Sequence, residues 1–252
     1  MDNSLEVKAN WVREQVVKMC RGAHVGHVAS SLSCVEILIS LYYCDVLQHD
    51  PERPNWEDRD YFIMSKGHGV VALYPILADR GFFPLKTLDE FCTGGQLGSH
   101  PDVAMPGVDL STGSLGHGLG VGIGLAYGLR RDNKANRVFV LMGDSECQEG
   151  TVWEAIMCAG HYRLNNLIAI VDRNFIGALG QTERYLKLEP LHDKLLGFGW
   201  NVLTVNGHSL VELGYAFHTQ SSFLPKMIIA HTVKGKGVPA LENNPMGHTL
   251  IP

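Results

Sequence analysis

The sequence predicts an α/β protein built on a mostly parallel sheet with helices on both faces. Three observations carry this reading. Val138–Met142 and Leu167–Val171 are short apolar runs, and each closes on a small polar cluster, Gly143-Asp144-Ser145 and Asp172-Arg173-Asn174. Between them Val152 to Tyr162 carries few helix breakers, so the stretch reads as strand, helix, strand with the short connections of a parallel crossover unit. Further short apolar runs, Tyr61–Met64, Trp200–Val205 and Lys226–Ala230, alternate with helical stretches along the rest of the chain. The 252 residues suffice for one large α/β domain, so residues 1–252 are read as a single domain.

Taken in order, residues 5–21 form an amphipathic helix with Val12, Val16, Val17 and Met19 set among charges. Ser33 and Glu36 have the spacing of a capping box at the start of a second helix. Residues 45–60 are a charged, proline-bearing surface connection, and Tyr61–Met64 is a short buried strand. That strand ends in Ser65-Lys66-Gly67-His68-Gly69 and runs into a helix ending near Arg80. Gly94 to Pro101 is a glycine-rich loop that sets His100 before a proline. The glycine-dense stretch Ser111–Arg131 contains no G-x-G-x-x-G trio and precedes its strand, which removes a dinucleotide reading. Its glycines at 116, 120, 124 and 128 recur every four residues and are expected to line one helix face for close packing. After the crossover unit come a helix over 191–198, the strand 200–205, a helix over 210–219 and the last strand 226–230. The closing loop, HTVKGKGVPALENNPMGH, lacks the glycine spacing and the Ser/Thr of a Walker A loop.

Composition excludes several classes of function. A formal charge of −5 and the lack of any basic run argue against nucleic-acid binding. No apolar run is long enough to span a bilayer, and the start, MDNSLEVKAN, lacks the apolar centre of a signal peptide. The six cysteines, at 20, 34, 44, 92, 147 and 158, include no CxxC pair. Buried, unpaired thiols in a reducing cytoplasm are therefore expected.

In an open parallel sheet both polar clusters fall at the carboxyl ends of neighbouring strands, where such sheets bind ligands. Gly143 lets backbone approach a phosphate. Asp144 and Asn174 supply oxygen ligands, with room for the Ile176 carbonyl, which suits a diphosphate held through Mg²⁺, or Ca²⁺ or Mn²⁺ in its place.

Gly143-Asp144 followed at a distance by Asn174 resembles the thiamine diphosphate fingerprint, and the wording GDSECQEGTVWEA…VDRN is similar to the transketolase family in particular. Gly26-His27 before a small-residue stretch resembles the family's SGHPG segment, with Val28 in place of proline. Gly67-His68 matches its S-x-GH motif, and His100-Pro101 its GHP segment, with Ser99 replacing glycine. Thr112–Gly116 resembles TTGPLGQG, although Ser114 and His117 stand where the family has proline and glutamine.

The resemblance covers essentially the whole chain and implies the diphosphate-binding, N-terminal part of a transketolase with a thiamine diphosphate-binding fold. It implies transfer of a two-carbon ketol unit from a ketose phosphate to an aldose acceptor, with thiamine diphosphate and Mg²⁺. It places His27, His68, His100 and His248 around the reacting carbons, where imidazoles can donate and accept protons. Ser114, Leu115, Gly116, Gly143, Asp144, Ser145, Asn174, Ile176 and Lys234, together with His68 and His248, are the implied cofactor contacts. Asp144, Asn174 and Ile176 are the implied metal ligands. Glu149 and Glu154 match family acids that relay protons at a subunit interface. The family's pyrimidine-binding domain, with its activating glutamate, has no counterpart here, because the chain stops at Pro252. A C-terminal partner subunit is expected to supply it, in a dimer of heterodimers; a fragment of a longer chain is the alternative. Two other functions compete: a thiamine enzyme with a pyruvate-type donor or carrier-protein acceptor, and a non-catalytic cofactor-binding subunit.

Overall fold

Side chains along each central strand alternate between two separate cores, as a pleated strand buried on both faces requires. Phe139, Leu141, Ile168, Ile170, Ile228 and Ala230 enter one core. Val138, Val140, Met142, Ala169, Val171, Met227 and Ile229 enter the other. The computed structural model describes residues 3–219 and 223–252. Its main sheet joins β1 (Tyr61–Met64), β2 (Val138–Gly143), β3 (Leu167–Arg173), β6 (Asn201–Asn206) and β7 (Lys226–His231) in the order β1-β2-β3-β7-β6. Every pairing in it is parallel. A small antiparallel pair, β4 (Ile176–Gly177) and β5 (Gly180–Gln181), follows β3 directly.

Helices cover both faces. Helices α1 (Asn3–Ala23), α2 (Val28–Leu32), α3 (Val35–Tyr43) and α4 (Leu73–Arg80) pack on the first core, together with α9 (Leu210–His218). Helices α5 (Gly118–Arg131), α6 (Gly150–Tyr162) and α8 (Leu191–Gly197) pack on the second. A short helix α7 (Thr182–Tyr185) follows β5. Gly143 pairs with Asp172, so the two polar clusters stand side by side at one sheet edge, as the sequence predicts. None of the helices among the described residues is long and apolar enough to cross a membrane.

Two local expectations are corrected. Ser33 does not cap the second helix: it ends α2, and Cys34 takes the cap position of α3 without a side-chain bond. The Ser33 hydroxyl is buried and donates to Asp172 Oδ2 at 2.6 Å, a bond that outweighs a local cap. Glu36, the other half of the expected capping box, pairs instead with Arg13 and with His208 Nδ1 at 2.9 Å.

The second correction concerns the glycines. Gly116 lies before α5 at φ +90°, where an added Cβ would stand 2.7 Å from Thr151 Oγ1. Gly120, Gly124 and Gly128 have no atom within 4 Å of an added Cβ. The close packing falls on the other face of α5: a Cβ at Gly118 would meet Ser65 Oγ at 2.2 Å, and one at Gly122 would meet Val140 Cγ2 at 2.6 Å.

These contacts predict opposite effects on one helix. Gly122→Ala should destabilise the isolated chain by about 1–3 kcal/mol through overpacking. Gly124→Ala should stabilise it by about 0.5–1 kcal/mol, since nothing opposes the added methyl and helical glycine is entropically costly. Denaturant midpoints of the two variants check both signs.

Candidate active site

The carboxyl ends of β1, β2 and β3 open into a cavity of about 420 Å³. At its floor lies a buried ion pair. Lys66, just past β1, donates to Asp172 Oδ2 and to the Ser30 carbonyl at 2.9 Å. Asp172, near the end of β3, also accepts from Ser33 and from Thr232, and Asn174 Nδ2 donates to it at 3.4 Å. Both partners are almost fully buried. Burial alone would push the Asp172 carboxyl up, but Lys66 holds it below the usual carboxylate range. Burial alone would likewise lower Lys66, and Asp172 keeps it above its ordinary value. The pair is therefore ionised.

Asp144 sits beside this pair at the end of β2. Its Oδ1 accepts from Ser145 N at 2.8 Å, and its Oδ2 from Phe175 N at 2.6 Å and Arg173 Nη1 at 3.1 Å. Burial first, and the charge of Asp172 second, raise its pKa. Asn174 Oδ1 accepts from Ile176 N at 3.1 Å while its amide nitrogen faces Asp172, which fixes the amide's orientation. Asp144, Ser145, Asn174 and Ile176 all line the cavity. The Ile176 carbonyl accepts from Lys234 Nζ at 2.9 Å.

The four histidines picked from the sequence come from four separate segments and meet here. His27, at the entrance to α2, is the hub: its ring centroid lies 5.6 Å from that of His68, 6.0 Å from His100 and 5.1 Å from His248. His68 and His248 are 5.8 Å apart. His100 Nδ1 is bound to Ser99 Oγ at 3.1 Å, and His248 Nδ1 lies 3.3 Å from Lys234 Nζ. Burial lowers His27, His68 and His248; Lys66 lowers His68 further, and Lys234 helps bring His248 down to about 4. Lys234 itself falls to about 8, through burial and then Lys66.

The loop that carries Lys234 and His248 is anchored from behind. Gly235 N donates to the Ala29 carbonyl at 2.9 Å, Val233 N to His208 Nε2 at 2.8 Å, and Arg13 Nε to the Lys236 carbonyl at 3.1 Å. The Glu36–His208–Arg13 cluster thus holds the back of this loop.

Other sequence-predicted residues are placed differently. Leu115 lines the cavity, whereas Ser114 is exposed outside its wall, and Gly116 turns its N–H to Glu146 Oε1 at 3.0 Å. Glu149 is exposed at the N-cap of α6 and borders the cavity; Glu154, one turn on, is exposed and outside it. Sequence reasoning misses Ser30, Lys66, Glu146 and Tyr185, which all line the cavity. The Ser30 hydroxyl and His27 Nδ1 are buried with no hydrogen-bond partner. Glu146 accepts from Ser65 Oγ and from the backbone N–H groups of Gly116 and Gly143, so it ties three loops together.

A pH dependence follows from the histidines. With His248 near 4 in the folded chain against 6.5 unfolded, the unfolded state binds more protons between those values. His27 and His68 shift in the same direction. Stability of the isolated chain should therefore fall as pH drops from 6.5 towards 4, and His248→Gln should make that fall shallower. Urea midpoints taken across this range check the slope.

Residues 5–250 match the family described as transketolase, thiamine diphosphate binding domain. The chain is 39% identical to one subunit of the apulose-4-phosphate transketolase of Phocaeicola vulgatus, covering 99% of this chain and 89% of that protein. It is also 39% identical to one subunit of the 6-deoxy-6-sulfo-D-fructose transketolase of a Clostridium species, covering 98% and 90%. The crystal structure of transketolase from Campylobacter jejuni superposes with a TM-score of 0.93 at 31% identity, covering 99% of this chain and 41% of that one. The chain thus spans about two fifths of that transketolase and nearly the whole of the two relatives that are themselves subunits. These matches favour ketol transfer over a pyruvate-type or carrier-protein enzyme and over a non-catalytic role. With this sheet order, this cavity and these relatives, the chain belongs to the transketolase family, as its N-terminal, thiamine diphosphate-binding subunit.

Proposed function

We propose that this subunit holds thiamine diphosphate and Mg²⁺ across the ends of β2 and β3. Together with its partner it transfers a two-carbon ketol unit from a ketose phosphate to an aldose acceptor. One observation carries the reading: His27, His68 and His248 line the cavity together with Asp144 and Asn174, and His100 stands against His27. Two relatives bear the names of apulose-4-phosphate and 6-deoxy-6-sulfo-D-fructose transketolases, which supports a ketose donor of this kind.

The residues present fit the cofactor. The Asp144 carboxylate, the Asn174 amide oxygen and the Ile176 carbonyl are hard oxygen donors suited to Mg²⁺, and each retains a free acceptor position. Among the described residues no group of three or more His, Cys, Asp or Glu side chains could hold a metal alone. The Asp144, Asn174 and Ile176 oxygens alone leave an octahedral Mg²⁺ shell incomplete, so phosphate oxygens would complete it. The unpartnered Ser30 hydroxyl is a ready donor to the same phosphates. Lys234 and His248 would meet negative charge from the loop side.

Bound thiamine diphosphate supplies a nucleophilic carbon and an electron sink for the cleaved carbon–carbon bond. The chain's own residues orient the sugar and move protons. Burial keeps His27, His68 and His248 neutral near pH 7, so each can accept a proton from a sugar hydroxyl and return it. His100, on the far side of His27, would hold a terminal hydroxyl of the donor.

The assembly we infer is a dimer of heterodimers. A partner carrying the pyrimidine-binding domain would complete each site, in line with the naming of the relatives as subunits. Two copies of this chain would pair over Glu149, Glu154 and the open glycine face of the neighbouring α5. Cys20, Cys34, Cys92, Cys147 and Cys158 are free thiols, which suits a reducing cytoplasm.

His68→Ala and His100→Ala in the complete complex should leave cofactor binding intact and lower turnover by roughly 10²–10⁴-fold. The isolated chain with cofactor, Mg²⁺ and a ketose phosphate should release no aldose. A coupled aldose assay with and without the partner measures both. Full activity without the partner, or wild-type rates in both variants, would contradict this reading.

A further inference from the structure

We propose that Arg173 is a positioning residue that locks the Asp144 carboxylate to the segment 182–189, whose Tyr185 lines the cavity, so that cofactor affinity depends on both being held together. The inference rests on Asp144 serving as a metal ligand. Arg173 closes β3 one residue before Asn174, and its side chain has no solvent exposure. All five of its N–H groups are used. Nη1 donates to Asp144 Oδ2 at 3.1 Å and to Thr182 Oγ1 at 2.9 Å. Nη2 donates to Glu183 Oε1 at 2.7 Å and Glu189 Oε1 at 2.8 Å, and Nε reaches Glu189 Oε1 at 3.2 Å. The guanidinium also lies 4.0 Å from the ring centroid of Phe175, whose N–H donates to the same Asp144 oxygen.

The planar fork of an arginine allows this double engagement; a lysine ammonium has three donors and no plane. One edge fixes Oδ2 of Asp144, which leaves Oδ1 as the oxygen with acceptor capacity for a cation. The other edge gathers two glutamates that themselves brace the segment. Glu183 accepts from the backbone N–H groups of Leu188 and Glu189, and Glu189 from that of Leu191. The segment carries Tyr185, whose hydroxyl lies 3.2 Å from Ser145 Oγ in the cavity wall. Gln148 Nε2 donates to the Leu186 carbonyl at 2.6 Å and pins the same segment from the β2 side. Arg173 therefore links the metal-binding side chain and the wall through one rigid group.

The test measures binding and segment opening, without reference to turnover. Calorimetry of thiamine diphosphate binding at fixed MgCl₂ would be run on the complete complex, with trypsin cleavage at the exposed Arg184 and Lys187 followed in parallel. Arg173→Met should raise the apparent Kd by about 10–100-fold, the usual effect of removing a partner of a metal ligand, and should speed cleavage. Arg173→Lys should recover part of the affinity, because it keeps the charge beside Asp144, while cleavage stays fast. If Arg173→Met does not fold, Glu183→Gln serves in its place, since its side chain is only half-buried and the change keeps its size; it should speed cleavage and weaken binding less. Asp144→Ala is the reference and should abolish Mg²⁺-dependent binding. Wild-type affinity in Asp144→Ala would overturn the metal-site reading and the inference with it. Lost binding in Asp144→Ala beside wild-type affinity and cleavage in the Arg173 or Glu183 variants would overturn the inference alone.

Discussion

Lys66 and Asp172 meet at the floor of the cavity with almost no access to water. Two charges so placed are costly to desolvate, and their attraction repays that only when the remaining lone pairs and protons are satisfied. Here they are. Asp172 accepts from Ser33, Thr232 and Asn174 as well as Lys66, and Lys66 also reaches the Ser30 carbonyl. These partners belong to the end of β1, the end of β3, helix α2 and the loop after β7. One ion pair therefore fastens four segments whose sequence positions are far apart. Removing either partner would leave an uncompensated buried charge, a loss of about 3–5 kcal/mol.

The site is assembled outward from this pair. Asn174 takes its orientation from Asp172, and the Ser33 bond holds the end of α2, the helix that His27 enters. Lys66 lowers His68 by its charge, after burial, so it helps keep that imidazole neutral near pH 7. Stability and chemistry are thus coupled through the same carboxylate. Glu146 performs a similar task on the other side, with one buried carboxylate receiving bonds from Ser65, Gly116 and Gly143. It joins the ends of β1 and β2 to the loop before α5.

The sheet and its chemistry-bearing edge are legible in the sequence, because both rest on local pattern. The apolar runs at 138–142 and 167–171 have strand length, and each closes on small polar residues that the fold brings to the cavity. His27, His68 and His100 are legible through short motifs around each one. What escapes is whatever depends on distant partners. Ser33 and Glu36 have capping-box spacing, yet the hydroxyl finds a carboxylate 139 positions away and the glutamate finds one cation 23 positions back. Gly120, Gly124 and Gly128 of the glycine repeat share a face of α5 while Gly116 lies before it, and only tertiary packing decides that Gly118 and Gly122 are the crowded ones. Ser30, Lys66 and Arg173 carry no local signal, since a polar residue in or at the end of a short element reads as solvated until the fold buries it. Segment 176–189, with its two-residue strands and a four-residue helix, is too short for any periodicity.

In the function proposed above, the ends of β2 and β3 form a cation–diphosphate site whose protein ligands are Asp144, Asn174 and the Ile176 carbonyl. The most direct measurement is a crystal structure of the complete complex grown with thiamine diphosphate and Mn²⁺, with diffraction collected at the manganese absorption edge. The predicted result is one anomalous peak within coordination distance of Asp144 Oδ1, Asn174 Oδ1 and the Ile176 oxygen, with the diphosphate filling the remaining positions. A peak elsewhere, or diphosphate bound in this cavity without a cation touching Asp144, would contradict it.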